Sequence, residues 1–182
     1  MSIGTALKKN LEFWHWYPEL LVKDLSPEQL RWQPADHDSS IQFALWHAYR
    51  AADDILHGMV FRAPSVYASQ AWAERLPVEQ TGATPFGNGL TREQIGALRF
   101  DVSELIAYAK AVGSSVGARL EAMSDEEAAE LVPLPFFANV YPMLDSLSRA
   151  EMVTFFAIGH TSEHLGEVQM LKGLQGMQGA PL

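Results

Sequence analysis

Cysteine is absent from the 182 residues. That excludes disulfides, thiolate catalysis and zinc-finger sites, and leaves open a metal site built from histidine and carboxylate. Basic residues are scarce, 13 Lys and Arg against 22 Asp and Glu for a formal net charge of −9, and they form no cluster. Nucleic-acid binding relies on Lys and Arg neutralising phosphates, so no nucleic-acid partner is expected. The acidic balance reads as a contribution to solubility. No apolar run reaches the length of a membrane span, so no membrane partner is expected either. The stretch MSIGTALKKNLEFWHWYPELL has no h-region followed by a small-residue cleavage site, and a cytoplasmic location is the expectation. Internal repeats, low-complexity segments and convincing strand patterns are also missing. What is there is a globular composition, 48% apolar and 19% charged, sized for a single domain over 1–182 with a full core.

Helical periodicity dominates. Leu7, Leu11, Trp14 and Leu21 predict a first helix over about residues 4–24, with Pro18 inside it as a kink or local break. In SPEQLRW, Ser26, Pro27 and Gln29 form a capping box with proline at the first helical position, so a short helix follows and Pro34 ends it. After DHDSS a second long helix is predicted over about 41–62. A link of about 28 residues follows, with Pro64, Pro77, Pro85, FGNG and one helical turn around SQAWAERL. Thr91 and Gln94 form another capping box and open a third helix over about 92–123, weakened by Gly113 and Gly117. SDEEAAEL reads as a short capped helix, and the aromatics of PFFANVYP as a lid on the core or a pocket wall. Ser148 and Glu151 cap a fourth helix over about 149–172, stopped by Gly173. Four long helices predict an all-α four-helix bundle. The long connection between helices 2 and 3 leaves room for a crossover, which gives an up-down-down-up order.

The chemistry concentrates in GHTSEHLGE, Gly159 to Glu167. With His160 at zero on a helical wheel, His164 lies at about +40°, Glu167 at about −20° and Glu163 at about −60°. Val153, Phe156, Ala157 and Leu171 share that arc, so both histidines project from a face that should be buried. Two imidazoles at i and i+4 can reach one metal ion, but a third ligand must come from another element. On helix 2, His47 shares an arc with Phe43, Ala44, Ala51 and Asp54. His47, His160 and His164 would make a three-histidine site with open positions, the mark of a catalytic metal. Glu163 or Glu167 could orient an imidazole or take a proton from bound water, and Asp54 could support the site or serve as a weak fourth ligand. H-x-x-x-H alone also describes two hydrogen-bonded structural histidines. Of the other histidines, His15 reads as a packing or hydrogen-bonding residue beside tryptophans, His37 as solvated or capping in a turn, and His57 as facing the bundle edge.

Three segments then carry a resemblance. LSPEQLRWQP (Leu25 to Pro34), Trp46-His47, and HTSEHLGEVQMLKGLQG with His160, His164, Gly166 and Glu167 resemble, in order, motifs of the DinB-like superfamily, also described as YfiT-like metal-dependent hydrolases. The resemblance implies an up-down-down-up bundle, often a homodimer, holding one divalent metal on His47, His160 and His164. It also implies that residues 63–90 and PFFANVYP shape the substrate pocket, since they match no motif.

The expectation is a metal-dependent enzyme acting by hydrolysis or thiol-dependent transfer on a small molecule. Zn, Ni or Fe, and also Cu, suit three neutral imidazoles. Some relatives use a low-molecular-weight thiol, such as mycothiol or bacillithiol, as cosubstrate, and in a chain without cysteine any thiol comes from outside. The alternative is a non-catalytic bundle that binds a metal or small ligand, or whose histidines only satisfy a buried network. The aromatic LEFWHWY offers core packing or a dimer face.

Overall fold

Capping side chains set most of the element boundaries. The computed structural model describes residues 1–78, 85–135 and 145–179. Ser2 caps α1 (Ile3–Val22), which runs through Pro18 without interruption. The capping box of Ser26 and Gln29 opens α2 (Pro27–Arg31). Ser40 caps α3 (Ile41–Ile55), which continues as a π-helical turn over Leu56–Val60. Two short helices follow, α4 (Val66–Ser69) and α5 (Trp72–Arg75). The box of Thr91 and Gln94 opens α6 (Arg92–Ala97). Then come α7 (Val102–Ala122) and α8 (Asp125–Ala129). Strands β1 (Leu131–Pro133) and β2 (Ser146–Ser148) pair antiparallel. The Ser148–Glu151 box opens α9 (Arg149–Met152), a π-helical segment spans Val153–Gly159, and α10 (His160–Leu174) completes the last helix.

Several expectations need correction. The third helix is two: the chain leaves α6 at Leu98 and re-enters a helix at Asp101, whose carboxylate accepts from the Ser103 amide. Leu98 and Phe100 are buried in that break, so apolar burial there reflects packing of an extended segment and not helical periodicity. Gly173 does not stop the last helix; it ends at Leu174, and Gly176 takes the positive φ of 78° beyond it. The β1–β2 pair leaves no strand pattern in the sequence, because three residues per strand are too few to show an alternation. Apart from Pro135, the PFFANVYP segment lies outside the described residues.

The long helices pack in pairs: α1 on α7, α3 on α10 and α3 on α7, while α1 also touches the π segment ahead of α10 and α10 itself. Side-chain partners give the directions. Lys8 meets Glu121 at 2.8 Å and Lys110 meets Glu19 at 2.7 Å, so α1 and α7 run antiparallel. Tyr17 meets Gln169 and the Leu21 carbonyl accepts from Lys172, so α1 and α10 run parallel. Gln42 donates to the Leu98 carbonyl and Tyr108 to Asp53, so α3 and α7 run parallel. The two π segments touch each other beyond the point where His47 faces His160 and His164, so α3 and α10 run antiparallel. The α1–α7 crossing is close. A Cβ on Gly113 would sit 2.4 Å from Cγ of His15, so the imidazole occupies the space a side chain would take. Leu11, Leu21, Trp46, Tyr49, Tyr108, Val112, Leu120, Val168 and Leu171 fill the space between the helices.

Candidate metal centre

Two elements bring the histidines together. His47 sits on α3 between the buried Trp46 and Ala48. His160 and His164 sit on the first turns of α10, just after the π segment. A π turn holds an extra residue per turn and is frequent at functional sites. One ring nitrogen from each of the three histidines lies within 4.8 Å of the others. The rings of His47 and His164 are 4.7 Å apart, those of His47 and His160 5.3 Å. Nε2 of His160 and Nε2 of His164 are 3.2 Å apart. Two nitrogens bound to one tetrahedral ion at ordinary Zn–N distances would lie about 3.3 Å apart.

The hydrogen bonds behind the rings decide which nitrogen faces inward. His47 Nδ1–H donates to the Phe86 carbonyl at 2.6 Å, which leaves the Nε2 lone pair for the cluster. His164 Nδ1–H donates to Oε2 of Glu167 at 2.8 Å, with the same result. Histidines that bind metals are commonly held this way, by a carbonyl or carboxylate behind the ring. Among the described residues His160 Nδ1 is buried without a hydrogen-bond partner. Burial, with the nearby His164 and His47, pushes the His160 pKa down to about 4. Burial also lowers that of His47. Both rings are therefore neutral near pH 7, as ligands must be. For Glu167, burial works upward, but the hydrogen bond from His164 and other favourable contacts prevail and hold it below the usual range. Two lone pairs fixed in direction, with Nε2 of His160 beside them, suit a divalent ion. Among the described residues no aspartate or glutamate completes the coordination.

A cleft of about 460 Å³ reaches the cluster at His160. Leu147, Glu151, Thr154, Phe155, Gly159 and Glu163 line the rest of it. Glu163 therefore faces open space beside His160, whereas Glu167 lies behind His164.

The family model of the DinB superfamily matches residues 17–168, most of the chain. The chain belongs to the DinB superfamily. No curated protein matches it. A conserved protein of Enterococcus faecalis has a similar crystal structure, with a TM-score of 0.74 over 95% of this chain and 99% of that one at 15% identity, a likeness of fold.

The DinB-superfamily chain places the remaining expected residues elsewhere. Asp54 is not at the cluster; it pairs with Arg50 one turn back on α3. Burial raises its carboxyl above the usual range, against the Arg50 contact. His15 packs and hydrogen-bonds, donating from Nδ1 to the Ala109 carbonyl at 2.6 Å, and its ring lies on Tyr49. His37 accepts from the Ser39 amide in its turn. His57 is the correction: it is 1% exposed, not at an edge. Its wheel position faces α7, where Nε2 meets the Ser115 hydroxyl at 2.8 Å, and Nδ1 meets Asp53 at 2.8 Å. Asp53 itself was missed. Fully buried, it accepts from the amides of Val66 and Tyr67 and from the Tyr108 hydroxyl, each at 2.8 Å. Burial works to raise its pKa, but the hydrogen bond with His57 and these three prevail, and it stays an acceptor-only carboxylate tying α3, α4 and α7. Phe86 was missed too, because its backbone carbonyl and not its side chain does the orienting. A usable signal lay next to it in FGNG. Gly87 has φ +90°, and a Cβ there would lie 2.8 Å from Cζ3 of Trp46, so only glycine lets this loop close down beside His47. For Gly166 of the family motif no described residue lies within 4 Å of an added Cβ, and no packing reason for it is visible among the described residues.

Proposed function

We propose that the chain, as one DinB-like domain over 1–182, is a metal-dependent enzyme with His47, His160 and His164 as the ligands of one divalent ion, Zn, Ni or Fe. The observation that carries this is the convergence of the three rings with the His47 and His164 tautomers already set toward each other. The frame is read as an up-down-down-up four-helix bundle, supported by the antiparallel α1–α7 and α3–α10 pairs and the parallel α3–α7 and α1–α10 pairs.

When bound, the ion would supply Lewis acidity and would make a water or a thiol on it more acidic. The chain's own groups do the rest. Glu167 is a positioning residue: it keeps Nδ1 of His164 protonated and the ring aimed inward. The Phe86 carbonyl does the same for His47. Glu163, exposed in the cleft beside His160, is the group placed to take and return a proton. Leu147 and Phe155 supply an apolar wall for a small-molecule substrate. With no cysteine in the chain, a low-molecular-weight thiol enters only as cosubstrate in the transferase version of this reaction. Phe13 and Trp16, each about half exposed on α1, offer a face for the homodimer.

Elemental analysis of protein purified without chelator tests the centre. About one divalent ion per chain is expected in the wild type, and its loss in both His47→Ala and His160→Ala. Full metal occupancy in the two variants would reject the ligand assignment. Turnover across a substrate panel should depend on added metal and vanish in His164→Ala.

A further inference from the structure

The cleft that meets His160 has a direction and a sign. Its floor is a stripe on the last helix, Glu151, Phe155, Gly159 and Glu163, four residues apart, with Leu147 as one wall. Stepping by four drifts one way around an α-helix and the other way around the wider π turn, so the π segment offsets the drift and straightens the stripe. Gly159 leaves the floor open beside His160; a Cβ there would lie 3.3 Å from the Thr154 carbonyl oxygen, at the edge of what the backbone tolerates. Phe155 presents its ring to solvent, 46% exposed, with Phe156 behind it at 4.9 Å in an edge-on contact. Among the described lining residues two are carboxylates and none is Lys or Arg. Glu151 is held in place because the backbone amide and hydroxyl of Ser148 both donate to its Oε2 at 2.7 Å. Glu151 and His160 are nine positions apart, at most about 13 Å along the helix. That exceeds the Debye length at physiological ionic strength, so an ion on the histidines offsets the negative charge at the exposed Glu151 end only in part.

Resting on the reading of the histidines as a metal centre, we propose that the cleft takes an elongated apolar molecule with an organic cation at the end distant from the metal, with Glu151 and the Phe155 ring as the cation's contacts. The carboxylate supplies charge, the aromatic face supplies cation–π attraction, and Leu147 covers the apolar body. The reacting group of such a molecule then lies at His160 and Glu163. Glu151 becomes a specificity residue, outside the reacting centre.

The test uses three probes of equal length that are poor metal ligands: phenylbutyl-trimethylammonium, phenylbutanol and phenylbutanesulfonate. Each is titrated into zinc-loaded full-length protein by calorimetry, with metal content measured on the same samples. The ammonium probe should bind tightest and the sulfonate weakest, about tenfold or more apart, and the gap should narrow as salt is raised. Glu151→Gln keeps the capping box, because glutamine serves there as well as glutamate. That variant should weaken the ammonium probe more than Glu163→Gln does and leave phenylbutanol within about twofold. A sulfonate that binds as tightly as the ammonium, no binding by any probe, or an unchanged ammonium affinity in Glu151→Gln would overturn the proposal. The two readings fail separately. Protein that holds no metal yet ranks ammonium first refutes the metal centre and keeps the cleft. Protein that holds metal and ranks sulfonate first refutes the cleft alone.

Discussion

The two glutamates beside the histidines should separate cleanly in metal affinity. Glu167 accepts from Nδ1 of His164 at 2.8 Å, and both side chains are about four-fifths covered, 23% and 19% exposed, so solvent screens the contact only in part. Groups that hold a metal-binding histidine from behind typically contribute ten- to a hundredfold in metal affinity, or about 1.4–2.8 kcal/mol. Glu167→Gln retains a carbonyl oxygen that can accept the same proton but loses the charge, so its effect belongs at the lower end, about tenfold. Glu167→Ala loses both and frees the ring to turn, so its effect belongs near a hundredfold. Glu163 has no such contact with a ligand ring, and Glu163→Gln should stay within about threefold of wild type while turnover falls by about a hundredfold or more. Competition titration against a chromophoric chelator reads the affinities directly. A urea unfolding curve on each metal-free protein checks that the comparison is between equally folded chains. Wild-type affinity in Glu167→Ala, or a larger loss in Glu163→Gln than in Glu167→Gln, would refute the division of roles.

Two predictions concern the scaffold. Asp53→Ala strips the acceptor from two amides, one phenol and one imidazole inside the core, so about 3–5 kcal/mol of stability should be lost, read from urea midpoints; a loss below about 1 kcal/mol would mean that water replaces the carboxylate. His15 is buried neutral, its pKa pushed by burial down to about 4 from an ordinary 6.5. Its unfolded form therefore takes up a proton first as pH falls. The stability present above pH 6.5 drains away towards pH 4, about 3 kcal/mol at the limit, and His15→Gln should flatten that part of the profile.

How much of this was legible in the sequence follows from the range of the forces involved. Caps act over three residues, so Ser26–Gln29, Thr91–Gln94 and Ser148–Glu151 each marked a helix start that the structure carries. A wheel needs only local geometry, and α10 is regular from His160 onward, so the convergence of His160 and His164 could be read directly. The failures share the opposite property. Asp53 looked like one of two adjacent acids, and what buries it is the first turn of α4 and Tyr108 of α7, 55 positions on. His57 looked marginal because the wheel was drawn against the His47 face, whereas α7 covers a second face of α3. Asp54 shared the His47 arc, but Arg50 on the same helix holds its carboxylate. The π segment ahead of His160 leaves no compositional mark, yet it lines up Glu151 with Gly159 and so shapes the cleft. The ligand residues could be chosen from spacing because a metal site needs donors of a given type at a given angle. The groups that orient them could not, because a backbone carbonyl such as that of Phe86 has no residue type, and only its neighbour Gly87, pressed against Trp46, betrays where the loop must close.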